Sequence, residues 1–172
     1  LMQHPNLDIQ WGNHDILWLG AAAGSAACVF TVLRISADYG NTMTLERRYG
    51  VSLRALYEFC ERVYGDSEKK TVHQALSVLG FKLEGQIIRR HPGYGMDDRL
   101  MLDRVDFAAG TVRLDGGTYP LTRLDFPTID PEGDRCALTA AEAELVEEYI
   151  SAFRESQPLR RHLAFIYQNG ST

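Results

Sequence analysis

The chain is predicted to be mainly α-helical with one small antiparallel β-meander. Two observations carry this. Apolar residues recur at helical spacing in several separate windows, two of them opened by a Thr-x-x-Gln or Thr-x-x-Glu box, at Thr71 to Gln74 and Thr139 to Glu142. Between them, residues 105–107, 111–114 and 118–121 are short β-like runs separated by Ala-Ala-Gly and Asp-Gly-Gly turns. At 172 residues the chain is long enough for one compact domain. A net charge of -5 and a pI near 5.5 leave no basic footprint for nucleic acid. Cys28, Cys60 and Cys136 have no metal-ligand spacing and fit buried thiols in a reducing cytoplasm.

The apolar-alternating residues 7–11 read as the end of a strand, followed at once by Gly12-Asn13-His14-Asp15. Glycine permits a tight turn beside an oxyanion, and an asparagine carbonyl is a neutral ligand for a hard divalent cation. The imidazole of His14 suits protonation of a leaving alkoxide or a hydrogen bond to a phosphoryl oxygen. A polar strand-to-helix turn, with His14 or Asp15 merely capping the helix, is the structural alternative.

Residues 16–37 form the longest predicted helix, and its stretch 16–33 carries no charge. That length is the lower limit for a membrane span, but the stretch is rich in alanine and lacks a basic flank, so a helix buried on all sides is expected, with no membrane partner. Gly20 and Gly24 then mark close approach of another backbone. Residues 38–42 turn, residues 44–49 form a short helix closed by Gly50, and Ser52 caps the next. Its stripe is Leu53, Leu56, Tyr57, Cys60, Val63 and Tyr64, with a polar break over residues 65–70.

The box at Thr71 opens a helix to about Ile88 that buries Val72, Ala75, Leu76, Leu79, Leu83 and Ile87, weakened locally by Gly80 and Gly85. Arg89, Arg90 and His91 at its end complement the helix dipole; the functional alternative is that one arginine grips a sugar-phosphate oxygen. After the stop at residues 92–95, another short helix is expected over 97–103. Its Asp97, Asp98 and Asp103 interleave with arginines, which favours a salt-bridged face over a metal cluster. Pro120 assigns the third strand of the meander to an edge. Residues 124–135 are an extended connection, and the box at Thr139 starts a helix with the stripe Leu145, Val146, Tyr149, Ile150 and Phe153. A last helix follows from Ser156-Gln-Pro158 through Tyr167, and Asn169-Gly170 turns the chain. By texture the chain divides into 1–15, 16–104, 105–121 and 122–172.

The phrase Asp8-Ile-Gln-Trp-Gly-Asn-His-Asp15, continuing through the Ala-rich run to Gly24, resembles the class III fructose-1,6-bisphosphatases of bacteria, a branch of the calcineurin-like metallophosphatases. Arg34-Ile-Ser36, Met96-Asp-Asp-Arg-Leu-Met-Leu-Asp103, the segment from Tyr119 to Pro131, and Leu163-Ala-Phe-Ile-Tyr-Gln-Asn-Gly-Ser171 extend the resemblance along the whole chain. The resemblance implies a helical insertion region of an α/β metallophosphatase whose core is a four-layer αββα sandwich. It implies hydrolysis of fructose 1,6-bisphosphate to fructose 6-phosphate, a gluconeogenic step, at a two-metal site, with manganese as the cation. It makes Asn13 a metal ligand and His14 the group that contacts phosphate and assists the leaving group, with Gly12 and Asp15 completing the motif.

The upstream Asp-x-His and Gly-Asp-x-x-Asp-Arg of such enzymes are missing, as are their downstream metal-binding histidines, so the resemblance implies an internal piece of a longer polypeptide. Alone, that piece is expected to be inactive and to expose apolar surface around Leu17, Trp18 and Val29. The partners implied are the remainder of the parent polypeptide, a sugar bisphosphate and further copies of the enzyme. A metallophosphoesterase of another substrate class and a non-enzymatic helical scaffold are the competing readings.

Overall fold

The computed structural model describes residue 10 and residues 12–169. The described residues form α1 (Asn13–Ala22), α2 (Ala26–Asp38), α3 (Thr42–Tyr49), α4 (Arg54–Tyr64), α5 (Lys69–Arg90), β1 (Val105–Asp106), β2 (Thr111–Leu114), β3 (Gly117–Pro120), α6 (Ala140–Glu155) and α7 (Gln157–Asn169). The expected strand over 7–11, apart from residue 10, and the turn at Gly170 lie outside the described residues. The chain divides by its contacts into one unit of Leu1–Ala55 with Leu145–Thr172 and a second of Leu56–Glu144. The boundaries fall inside α4 and α6, so this division differs from the four segments of sequence texture.

In the first unit, the single long helix expected over 16–37 is two helices. Gly24 takes φ +95°, a left-handed conformation that an α-helix cannot contain, and the Ser25 hydroxyl accepts from Cys28 N–H at 3.4 Å to restart the chain as α2. Gly20 does serve close packing, but against the very next helix: a Cβ there would stand 2.5 Å from Cys28 Sγ. Val29, Phe30, Val32 and Leu33 of α2 are buried, and Phe30 meets Tyr149 of α6 edge-on at 6.0 Å. Val29 is 0% exposed, which overturns the expectation of apolar surface there; Leu17 and Trp18 are half-buried. Gly50 ends α3 in the left-handed region, as expected. Ser156 caps α7 by accepting from Leu159 N–H at 3.3 Å and donates its own hydroxyl hydrogen to Tyr49 C=O. No described helix is long and apolar enough to cross a membrane.

In the second unit, the stripe of α4 runs through Leu56, Phe59 and Cys60, and Tyr57 is instead 41% exposed. Burial pushes the Cys60 thiol up to about 12. The box expected at Thr71 does not form. Asp66 accepts from Glu68 N–H at 2.9 Å, which starts α5 at Lys69 and leaves Thr71 buried within the first turn. Helix α5 buries two faces, because Val78, Lys82 and Gly85 are interior as well as the expected stripe, in which Ile88 takes the buried place expected for Ile87. The second face meets a cluster of Leu102, Ile129 and Cys136 on which Phe107 and Phe126 pack.

Gly85 is required there, since a Cβ would stand 2.5 Å from Cys136 Sγ. The short helix expected at 97–103 is two 3-10 turns, Asp97–Arg99 and Met101–Arg104. The meander forms in the order β1-β2-β3, with Thr111 opposite Pro120 and Pro120 on the edge strand. The Thr139 box is complete: Glu142 accepts from Thr139 N–H at 2.8 Å and Glu142 N–H donates to Thr139 Oγ1 at 3.2 Å.

Candidate functional site

Gly12, Asn13, His14 and Asp15 make the first turn of α1. Gly12 is its N-cap at φ -90°, ψ 168°, an extended conformation open to any residue, so the tight glycine turn expected from the sequence is not used. Asp15 folds back and accepts from Gly12 N–H at 2.8 Å, one half of a capping box. This is the capping role that the structural alternative gave to Asp15. The side chains of Asn13 and His14 are exposed and take no partner among the described residues. Their backbone N–H groups point out of a helix start, where the aligned peptide dipoles favour negative charge.

Beside His14 opens a pocket of about 270 Å³, wholly within the first unit. Leu17 and Trp18 of α1 and Val32 and Ile35 of α2 form its apolar wall, and Ser36, Asn41 and Thr44 its polar part. Trp18 is held by rings on two sides, 5.2 Å from Tyr49 and 6.1 Å from Phe153. Asn41 is fixed by its backbone, whose N–H donates to Ser36 C=O at 2.7 Å and whose C=O accepts from Thr44 N–H at 2.9 Å. Sequence reading missed these polar residues. The one signal available was an asparagine in a Gly-Asn turn between two helices.

Arg89, Arg90 and His91 belong to the second unit, at the end of α5. Arg89 is already engaged, donating to Asp134 at 2.6 Å and to both oxygens of Asp103 at 2.8 and 3.1 Å. Arg90 Nε donates to Gln86 C=O at 3.1 Å, and His91 stacks on Tyr94 with centroids 5.0 Å apart. All three side chains are thus engaged with neighbouring groups at the helix end. Of the carboxylates at 97, 98 and 103, Asp103 pairs with Arg89, while the neighbouring Arg99 pairs with Glu84 at 3.3 Å.

Among the described residues no three His, Cys, Asp or Glu side chains approach closely enough to hold a metal. Asn13 offers one unengaged amide oxygen, a fit to a single position of a hard-cation site and no more. A larger cleft of about 810 Å³ lies in the second unit between β1, β2 and the loop before α6. Arg135 spans it, donating to Leu102 and Val105 C=O at 3.0 Å each beneath the Phe107 ring. Its wall mixes three arginines with Asp103, Asp106 and Glu132, so it carries no single charge preference.

A family model described as Firmicute fructose-1,6-bisphosphatase matches residues 1–172. Among curated proteins, the class 3 fructose-1,6-bisphosphatase of Clostridium novyi is 44% identical over 191 aligned residues, covering 99% of this chain and 29% of the relative. Those of Clostridium tetani and Listeria monocytogenes are each 42% identical, with the same coverage. The chain therefore spans under a third of the length of these relatives. No solved structure matches it significantly.

Proposed function

Because the chain belongs to the Firmicute fructose-1,6-bisphosphatase family, we propose that it forms part of a metal-dependent phosphatase that converts fructose 1,6-bisphosphate to fructose 6-phosphate and phosphate, in cytoplasmic gluconeogenesis. The observation that carries the reading within this chain is the exposed, unengaged pair Asn13 and His14 at the start of α1, beside a pocket. A pair of divalent cations, manganese by resemblance, would polarise the phosphoryl group when bound. Asn13 would supply one neutral oxygen ligand, and the remaining ligands would come from elsewhere in an αββα core. The N–H groups of α1 would receive a phosphoryl oxygen, and His14 would hand a proton to the departing sugar oxygen. Asp15, bonded to Gly12 N–H, keeps this turn in place. Self-association into a homo-oligomer is part of the proposal.

The test uses the full-length protein with the initial rate measured against manganese concentration. Asn13→Ala lowers activity and is partly restored by excess cation, because mass action refills a weakened site. His14→Ala loses about 10²–10⁴ in rate and is not restored, because no concentration of metal replaces an imidazole. Equal rescue of both variants would refute the assignment. A panel of phosphate esters with a better substrate than the sugar bisphosphate would move the protein to another phosphoesterase class.

A further inference from the structure

Ser36 is 6% exposed, lines the pocket beside His14, and its hydroxyl takes no partner among the described residues. A mid-helix serine ordinarily has the backbone of the preceding turn available to it; the Ser36 hydroxyl opens on the pocket instead, where it can donate to or accept from whatever enters. Asn41 is exposed and lines the same pocket. It is the N-cap of α3, a place where an asparagine side chain usually accepts from a helix N–H, yet its side chain makes no capping bond. Thr44 adds a third side chain with no hydroxyl partner among the described residues. Three neutral polar groups thus face one small space whose opposite wall is Trp18 with Leu17, Val32 and Ile35, and no carboxylate lines it.

An apolar ring opposite hydroxyl and amide groups is the chemistry that receives a polyhydroxylated ring, whose C–H face is apolar and whose edge is all donors and acceptors. At about 270 Å³ the space suits a single sugar and is too small for a dinucleotide. We propose that Ser36, Asn41 and Thr44, with Trp18 as the wall, bind the sugar body of the phosphate ester whose phosphoryl group lies at the start of α1, and so determine substrate specificity. The inference rests on the phosphatase reading of His14 above.

The experiment measures binding to the full-length protein by calorimetry, with fructose 6-phosphate and inorganic phosphate as the two probes, for wild type, Ser36→Ala and Asn41→Ala. Each variant binds fructose 6-phosphate about five- to tenfold more weakly, the effect of one lost hydrogen bond, and binds phosphate unchanged. In kinetics with fructose 1,6-bisphosphate the loss appears in KM, with kcat within twofold. Unaltered affinity for the sugar phosphate in both variants overturns the inference, as does an equal loss for both probes, which marks a purely structural role. Either result leaves the phosphatase proposal standing. A wild type that binds phosphate but neither binds nor hydrolyses the sugar esters defeats the substrate assignment itself, and this inference falls with it.

Discussion

Replacing Gly85 by alanine sets two opposed effects against each other in the middle of α5. Alanine is favoured over glycine in a helix interior by about 1 kcal/mol. The added Cβ, however, would stand 2.5 Å from Cys136 Sγ, about 1 Å short of the roughly 3.5–4.0 Å of an ordinary contact. Cys136 cannot simply retreat. Its C=O accepts from Gln86 Nε2 at 2.7 Å and its N–H donates to Asp134 at 2.9 Å, so the loop is pinned on both sides of the thiol. Overpacking a core of this kind costs about 1–3 kcal/mol, so Gly85→Ala is expected to destabilise by up to about 2 kcal/mol after the helix gain.

Cys136→Ala alone leaves a small void and costs about 1 kcal/mol. In the double variant the new methyl occupies the space vacated by sulfur, and the clash term disappears. The pair should therefore be coupled by about 1–3 kcal/mol in the stabilising direction. Urea unfolding of the chain and its three variants, followed by far-UV circular dichroism, measures this directly. Effects that add within about 0.5 kcal/mol would refute the close approach and leave Gly85 without a packing reason.

The buried pair Lys82 and Glu142, each 0% exposed and 2.7 Å apart, gives a second prediction. Lys82→Met strands a buried carboxylate and costs about 3–5 kcal/mol, whereas adding Glu142→Gln removes the charge, retains an acceptor for Thr139 N–H and recovers most of the loss; no recovery in the urea midpoint would contradict this. A third concerns acid. The bond from Cys136 N–H, aided by Arg89, holds the Asp134 carboxyl below its ordinary 3.8, and the Arg123 guanidinium does the same for Asp125. A lowered folded value contributes stability that is present above the unfolded value and lost as pH falls through the folded one. The urea midpoint is thus expected to fall below about pH 4, and Asp134→Asn to make that acid limb shallower; an unchanged limb in the variant would show that Asp134 is not linked to folding.

These particular residues also show what a sequence can and cannot declare. The Thr139 box and the Gly50 stop were legible because a cap is settled within one turn by the residues that make it. The meander was legible for the same reason, its turns and edge proline being local. The break at Gly24 was not, since an uncharged Ala-rich run has the same texture whether it is one helix or two. Nor was the second face of α5. Lys82 reads as a surface residue until Glu142, sixty positions away, is brought to it, and only then can an ammonium be buried there.

The candidate site divides along the same line. Asn13 and His14 could be singled out from the sequence because their motif is contiguous. Ser36, Asn41 and Thr44 were missed because each is an ordinary residue of a helix or turn until α1, α2 and α3 converge on one space. The pattern bears on which substitutions redirect an enzyme of this kind. On the function proposed above, changing the contiguous turn should alter whether any phosphate ester is cleaved, whereas changing residues that only the fold assembles should alter which ester is chosen. Nothing in the sequence texture distinguishes the second group from the solvated surface around it.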